Sequence, residues 1–182
     1  MSVLLRLGQL CLPPSVKKRR LKQLFALTAD AFESSVPLVE GASLDEVLER
    51  YARFTREEAE KAIARSDTRE KVRERLYRNA FDLGCELRRK FRIRTLRDAL
   101  QMGRIIYKVL NIDFRSEGAS GVIVKRCFFS SYYSAEVCAL ISALDEGMMA
   151  GLTSGLKLQF IEKITDGSEC CRAHFGIEER TS

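Results

Sequence analysis

The hydrophobic residues in the first two-thirds of the chain recur at intervals of three and four, the spacing typical of amphipathic α-helices. A first helix is expected after Pro13-Pro14, with Ser15 as its cap. Further helix starts are indicated by Ser or Thr residues, mostly in capping-box patterns, at Ser43, Thr55, Thr68 and Thr95. We therefore expect a bundle of capped helices before residue 111. Gly84 fits a close helix crossing, but a tolerated glycine is the simpler explanation.

The pattern changes near residue 111 to short alternating segments. A first hairpin is predicted by IDFR and GVIVKRCFF, and a helix capped by Ser134 by SAEVCALISALDEGMMAGL. A second hairpin is predicted by LKLQF and CCRAHF around the turn at Asp166-Gly167, although the alternation slips at Glu162. The predicted fold class is α+β: an N-terminal helical bundle segment, then a compact hairpin–helix–hairpin unit with an antiparallel sheet.

Length and composition indicate one globular domain over residues 1–182. We divide it into a helical extension (1–40), a helical region (41–110) and an α+β core (111–178). Hydrophobic residues make up 46% and charged residues 31%, which excludes a disordered chain. No apolar run reaches the roughly 18 residues of a membrane span. The start, MSVLLRLGQLCLPPS, lacks the features of a cleaved leader, so we expect mature protein in the cytoplasm.

The net charge of +6 raises the question of nucleic-acid binding. Basic residues cluster at positions 17–22 and 88–94, but acidic residues are interleaved heavily between the clusters and no recognition motif accompanies them. We favour solvated helix faces and helix ends over a nucleic-acid interface. A small-molecule ligand is the expected partner, and a homodimer is a further option.

Four residues of the last third are candidates for chemistry. Cys138 and Asp145 lie seven residues apart and therefore share one face of the predicted helix. Cys127 precedes this helix and Cys171 follows it. If the strands pack on the helix, these four side chains converge in a site suited to metal binding or to nucleophilic chemistry.

Two chemistries remain open for such a site. A thiolate of Cys127 would attack a substrate carbon directly. Alternatively, Zn²⁺ held by Cys127, Cys138 and Cys171 would activate a water molecule, with Asp145 as general base or as a group behind the ligands. His174, the only histidine, is a candidate proton shuttle, but on a regular strand it faces away from Cys171.

Several cysteines have a plainer interpretation. Buried cysteine is a common small core residue, so each of the three thiols also fits packing alone. Cys170 is expected on the strand face opposite Cys171, and we read Cys11 and Cys85 as core residues. Six irregularly spaced cysteines do not form a disulfide framework and favour a reducing compartment.

The segment from Cys127 to Phe175 resembles the C-terminal signature of the L-2-amino-thiazoline-4-carboxylic acid hydrolase-like family. The matching elements are a cysteine before the helix, a second cysteine followed by an aspartate, and a Gly-x-x-x-Cys turn, here Cys127, Cys138, Asp145 and Gly167 to Cys171. A more distant similarity is to the 4-vinyl reductase domain, some members of which hold zinc with cysteines. Lys163 stands where those members place a further cysteine.

The resemblance implies a hydrolase acting on carbon–nitrogen bonds, or a related C–S bond, of a small compound such as a thiazoline or cyclic amidine. The alternative is a non-catalytic small-molecule-binding or sensor module with a 4-vinyl reductase-like fold and structural zinc. Between the two we favour the hydrolase by a narrow margin, because Asp145 shares the helix face of Cys138.

Overall fold

The computed structural model describes residues 13–176, apart from the side chain of Ser66. The expectations for residues 1–12, including Cys11, and for residues 177 and 178 lie outside this range. Within it, five α-helices accompany one antiparallel sheet of four strands, which confirms the α+β class. The helices are α1 (Pro14–Ala31), α2 (Leu44–Ile63), α3 (Ser66–Phe91), α4 (Leu96–Val109) and α5 (Ala135–Thr153). The strands are β1 (Phe114–Glu117), β2 (Gly121–Val124), β3 (Lys157–Glu162) and β4 (Cys171–Gly176).

The helix starts follow the capping patterns at three positions. Ser43 and Thr95 form complete capping boxes, in which each hydroxyl accepts the amide of the N3 residue and the N3 carboxylate accepts the cap amide. Ser134 caps α5 by accepting the amide of Val137 at 3.2 Å. Such caps satisfy backbone donors that a helix start otherwise leaves unpaired.

Three predicted starts differ from the structure. Ser15 makes no cap, because α1 begins at Pro14, whose fixed φ suits a first turn. Thr55 begins no helix: it is buried inside α2, and its hydroxyl donates back to the Tyr51 carbonyl at 2.8 Å. Inside the helix the backbone amides that follow Thr55 are already paired, so no cap is needed, and the bond to the preceding turn satisfies the hydroxyl instead. The next helix starts at Ser66 rather than Thr68.

The sheet has the order β1-β2-β4-β3, so the two predicted hairpins are joined through β2 and β4. Val124 of β2 lies opposite both Phe114 of β1 and Cys171 of β4. A register shift between Phe160 and Glu162 marks a β-bulge in β3, at the point where the alternation of the sequence slips. Short 3₁₀ helices cover Phe128–Ser131 and Ile164–Asp166.

The core consists of three clusters of buried residues, which partly buried side chains such as Ile112 connect. α1 packs into it through Leu21 and Phe25, both fully buried, and the ring centroids of Phe25 and Tyr51 are 5.1 Å apart. Ala173 and Phe175 of β4 pack with residues of α3, α4 and α5. No helix within residues 13–176 is long and apolar enough to cross a membrane.

α3 and α5 cross at backbone contact because both helices carry glycine there. A Cβ built on Gly147 would lie 2.1 Å from the Tyr77 carbonyl oxygen, and one on Gly151 would lie 2.3 Å from that of Phe81. A Cβ on Gly84 would lie 2.5 Å from the Met148 carbonyl oxygen. Gly84 therefore lies at a close helix crossing and is not simply a tolerated glycine.

We predict that Gly147→Ala lowers the free energy of unfolding by about 1–3 kcal/mol, because the new methyl group overpacks the crossing. This loss is expected even though alanine favours an isolated helix by about 1 kcal/mol over glycine. Urea denaturation measures the change. Gly176→Ala is the control, since a Cβ there meets its nearest atom at 3.9 Å. Equal stability of the two variants would contradict a glycine-dependent crossing.

Candidate functional site

All four candidate residues line one cavity of about 100 Å³ between α4, α5 and the segments around the sheet. Most of its lining is aliphatic or aromatic. The polar members are one carboxyl group, three thiols and several hydroxyls, contributed by Asp145, Cys127, Cys138, Cys171, Tyr51, Tyr107, Ser130, Tyr133, Ser142 and Thr165. The convergence expected from the sequence is therefore present.

α5 supplies the carboxyl group and one thiol. Cys138 and Asp145 both lie on the cavity side of α5, two turns apart as their spacing predicts. Val137, Leu140 and Ala143 are buried on its other sides, and Gly147 fixes it against α3. This packing determines the rotation of the helix and thereby the position of both functional groups.

Cys127 is held in the loop after β2. The backbone amide of Asp113 donates to the Arg126 carbonyl at 2.8 Å, which ties this loop to the start of β1. The carbonyl of Cys127 accepts the Ser130 hydroxyl at 2.7 Å. These bonds orient the thiol toward the cavity without a regular strand at this position.

The two candidate residues of β4, Cys171 and His174, lie on opposite faces of the strand. Cys171 shares its face with the buried Ala173 and Phe175, and its sulfur accepts the Ile164 amide at 3.4 Å. His174 lies opposite Gly121 and Gln159 in regular register and does not line the cavity. The structure thus does not bring His174 together with the other candidates, because no bulge in β4 turns it inward.

The two remaining cysteines in the described range lie outside the cavity lining. Cys170 is buried beside β3, with its sulfur 4.0 Å from a Glu162 oxygen. Cys85 lies half-buried at the α3–α5 crossing. Both placements agree with packing positions.

The protonation of Asp145 depends on its burial and on the groups around it. Tyr107 Oη donates to Asp145 Oδ1 at 2.6 Å. Burial, with a smaller effect of the Glu146 charge, raises the pKa of Asp145 to about 6, although the Tyr107 hydrogen bond and Lys163 favour the ionised form. The carboxyl group remains partly accessible through the cavity, yet the surrounding atoms displace most of its hydration.

Burial favours the protonated form of two of the cavity thiols, Cys127 and Cys171. Burial first, and then the negative charge of Asp145, raises the pKa of Cys127 to about 12. Burial also raises the pKa of Cys171, and the nearby Cys138 and Asp145 add to this effect. Neither of these two groups supplies much thiolate near neutral pH, so neither has the environment that activates a nucleophilic cysteine.

Sequence reasoning missed the tyrosines that complete the site. Tyr107 belongs to the apolar stripe of α4 and Tyr51 to that of α2, where an aromatic residue reads as core. Tyr51 is paired with the Thr28 hydroxyl at 3.0 Å, and Tyr133 is paired with that of Thr55. The available signal was chemical: a buried phenol needs a hydrogen-bond partner, and Asp145 is an acidic side chain on the inward face of the neighbouring helix.

Thr165 carries a polar atom that the fold leaves unpaired. It belongs to the 3₁₀ helix beside β4 and lines the cavity. Its buried hydroxyl oxygen has no hydrogen-bond partner among the residues that the structure describes. A buried unpaired hydroxyl is unfavourable, so a polar ligand group in the cavity would stabilise this position.

The zinc site has no support from the geometry. Among residues 13–176, no three His, Cys, Asp or Glu side chains form a group that could hold a metal ion. The three thiols line the same cavity without the tight convergence that tetrahedral coordination requires. Zinc binding stays a prediction of the sequence, and we assign it no step.

Comparison with models of known protein families gives no match, and comparison with curated protein sequences gives none either. The cavity itself is therefore the basis for any functional conclusion.

We predict that Asp145→Asn becomes more stable relative to the wild type as pH rises from about 3 to about 7. The folded-state pKa of about 6 exceeds the ordinary value of 3.8, so this group contributes stability at low pH that is lost as pH rises through about 6. At about 1.36 kcal/mol per pKa unit, the difference in unfolding free energy changes by about 3 kcal/mol. Denaturation of both proteins across pH measures it.

Asp82→Asn is the matched control, because Asp82 lies on the exposed face of α3. Its stability relative to the wild type should not follow the same pH curve. If the difference in unfolding free energy between Asp145→Asn and the wild type does not change with pH, the carboxyl group titrates with its ordinary pKa in the folded protein.

Proposed function

We propose that the protein is a hydrolase acting on a C–N or C–S bond of a small compound such as a thiazoline or cyclic amidine. One observation carries this proposal: a single carboxyl group with a pKa of about 6 lies in an apolar cavity, oriented by Tyr107. A carboxyl group with its pKa near the working pH both accepts and returns a proton effectively. The resemblance to thiazoline hydrolases suggests the same reaction class.

The size and charge of the cavity favour a small cationic ring. Its volume of about 100 Å³ compares with about 30 Å³ per water molecule in the liquid, so a compact ring or the reactive end of a ligand fits. Among the described residues, Asp145 is the one carboxylate in the lining, and no lysine or arginine accompanies it there. A protonated amidine would pair with this buried carboxylate, whereas an anion would be repelled.

The reaction that we propose uses Asp145 as base and then as acid. Water attacks the amidine carbon, a C–O bond forms, and the water proton passes to Asp145. The ring C–S or C–N bond then breaks, and Asp145 returns that proton to the departing sulfur or nitrogen. One water molecule is consumed without any change of oxidation state, and Asp145 ends in its ionised form.

Tyr107 and the thiols have supporting roles in this proposal. Burial and the Asp145 charge raise the pKa of Tyr107 well above its usual range, so the phenol keeps its proton and holds the carboxylate in place. Cys127 and Cys171 line the cavity as neutral thiols, which are weak hydrogen-bond donors. This assignment keeps the base role at Asp145 and leaves Cys127 without the nucleophile role.

A non-catalytic binding module is the second candidate, and Thr165 favours it. Its unpaired hydroxyl needs only a bound polar group, not a reaction. Such a module would bind a cyclic amidine with Asp145 and Thr165 and release it unchanged. Product analysis separates the two candidates.

We expect purified protein to convert 2-amino-2-thiazoline to its ring-opened ureido thiol, detected by mass spectrometry. Asp145→Asn should lower kcat about 10²- to 10⁴-fold, the usual contribution of a general acid–base group. Cys127→Ser should retain kcat within a few-fold, because the neutral thiol forms no bond to substrate. Both variants must first show wild-type circular dichroism.

The opposite pattern, activity lost in Cys127→Ser and retained in Asp145→Asn, would establish a thiolate mechanism instead. Binding of 2-amino-2-thiazoline by calorimetry without any product would leave the binding module as the function. Neither binding nor turnover would remove cyclic amidines as the ligand class.

The pH profile provides an independent check. Because Asp145 must be ionised to act as base, kcat/KM should rise about tenfold per pH unit below about 6 and level off above it. A thiolate nucleophile at Cys127 would instead give a rate that continues to rise into the alkaline range, since burial raises the pKa of that thiol to about 12. Steady-state rates from about pH 4.5 to 9 distinguish the two.

A further inference from the structure

A second concave surface, a groove of about 730 Å³, lies beside the cavity. α4, the start of β1 and the loop after β2 form its walls, and Ile112 and Cys127 line both the groove and the cavity. We call it the basic groove because cationic side chains dominate its charge. They are Arg104, Lys108, Arg115 and Arg126, against one carboxylate, Asp113.

The carboxylate in the groove is already neutralised by one of these cations. Arg115 donates two hydrogen bonds of 2.9 and 2.8 Å to the Asp113 carboxylate, which is the bidentate geometry of a strong arginine–carboxylate pair. Arg104 and Arg126 make no side-chain hydrogen bond or salt bridge to any residue in the range 13–176. Their charges therefore remain available to a ligand.

The surrounding positive charge lowers the pKa of Asp113. The hydrogen bond from Arg115 lowers its pKa first, and the charges of Arg115, Arg126 and Lys125 lower it further. The groove thus favours negative charge beside Arg115 and Arg126.

We propose that the basic groove binds an anionic small molecule with an aromatic or apolar body. Arg104 and Arg126 would hold its carboxylate, sulfonate or phosphate group, and the half-buried Phe128 with Ile105 would contact the body. The volume lies within the roughly 300–1,000 Å³ of small-molecule pockets. The mixed apolar and cationic walls fit one compact ligand better than the extended backbone of a nucleic acid.

This site goes beyond the hydrolase proposal and does not depend on it. The basic groove selects for negative charge, whereas the cavity around Asp145 selects against it. Their ligands therefore differ in chemical class even though Cys127 borders both. Asp145→Asn should leave binding in the groove unchanged, so failure of either proposal is visible separately.

The test measures binding of 2-naphthoate, an aromatic carboxylate, and of its neutral analogue 2-naphthamide by isothermal titration calorimetry. We expect 2-naphthoate to bind at least about tenfold more tightly, and its affinity to fall as salt increases. Arg104→Glu/Arg126→Glu should weaken 2-naphthoate at least tenfold. Arg56→Glu/Arg69→Glu is the control, because it makes the same change in net charge on exposed helix faces.

Four results would overturn the proposal. Equal affinity for the acid and the amide, or no binding of either, would remove the anion site. Equal weakening by the groove and control variants would show that only net charge matters. Tighter binding of a single-stranded oligonucleotide, lost in the groove variant, would make the surface a nucleic-acid contact instead.

Discussion

The glycine contact between α3 and α5 is the constraint on which the rest of the structure depends. Gly147 and Gly151 of α5 rest against the backbone of α3, and Gly84 of α3 meets α5 in return. Backbone contact leaves α5 little freedom to rotate or slide, because its neighbours are main-chain atoms rather than flexible side chains. A different face of the same helix carries Cys138 and Asp145, so the crossing positions the cavity chemistry indirectly.

The chemistry of the site follows from burial acting on groups of different acidity. Removing water disfavours the charged form of every acid in the cavity, but the outcome depends on the starting pKa. For Asp145 the result is a group that titrates near pH 6, where both protonation states are accessible. For Cys127 the same effect moves ionisation far from neutrality. One physical cause therefore favours the carboxylate and disfavours the thiolate as the reactive group.

Local sequence signals predicted much of this fold. The capping boxes at Ser43 and Thr95 fix helix starts with side chains three residues apart, so a short window contains the whole interaction. Thr55 presents the same pattern but is buried in mid-helix, because the aromatic packing around Tyr51 and Tyr133 continues the helix through it. The difference arises from tertiary packing, which a short sequence pattern does not contain.

The same distinction between local signals and tertiary packing applies to the candidate site. Cys138 and Asp145 were predictable together because helix geometry alone puts them on one face. Tyr107 was not, because its bond to Asp145 spans 38 residues and depends on how α4 packs against α5. His174 shows the reverse: strand alternation placed it on the face away from Cys171, and the regular register of β4 keeps it there.

The bulge in β3 bears on edge-to-edge pairing of strands between two molecules of this protein. β3 and β1 are the outer strands of the sheet, and outer strands expose backbone groups that can pair with another chain. The bulge at Phe160 to Glu162 interrupts the regular spacing of those groups on β3, and β1 has charged Arg115 and Glu117 along its short edge. Ile161, 65% exposed, would otherwise add an apolar contact to such pairing. The sheet thus resists edge-to-edge aggregation by irregularity on one side and by charge on the other.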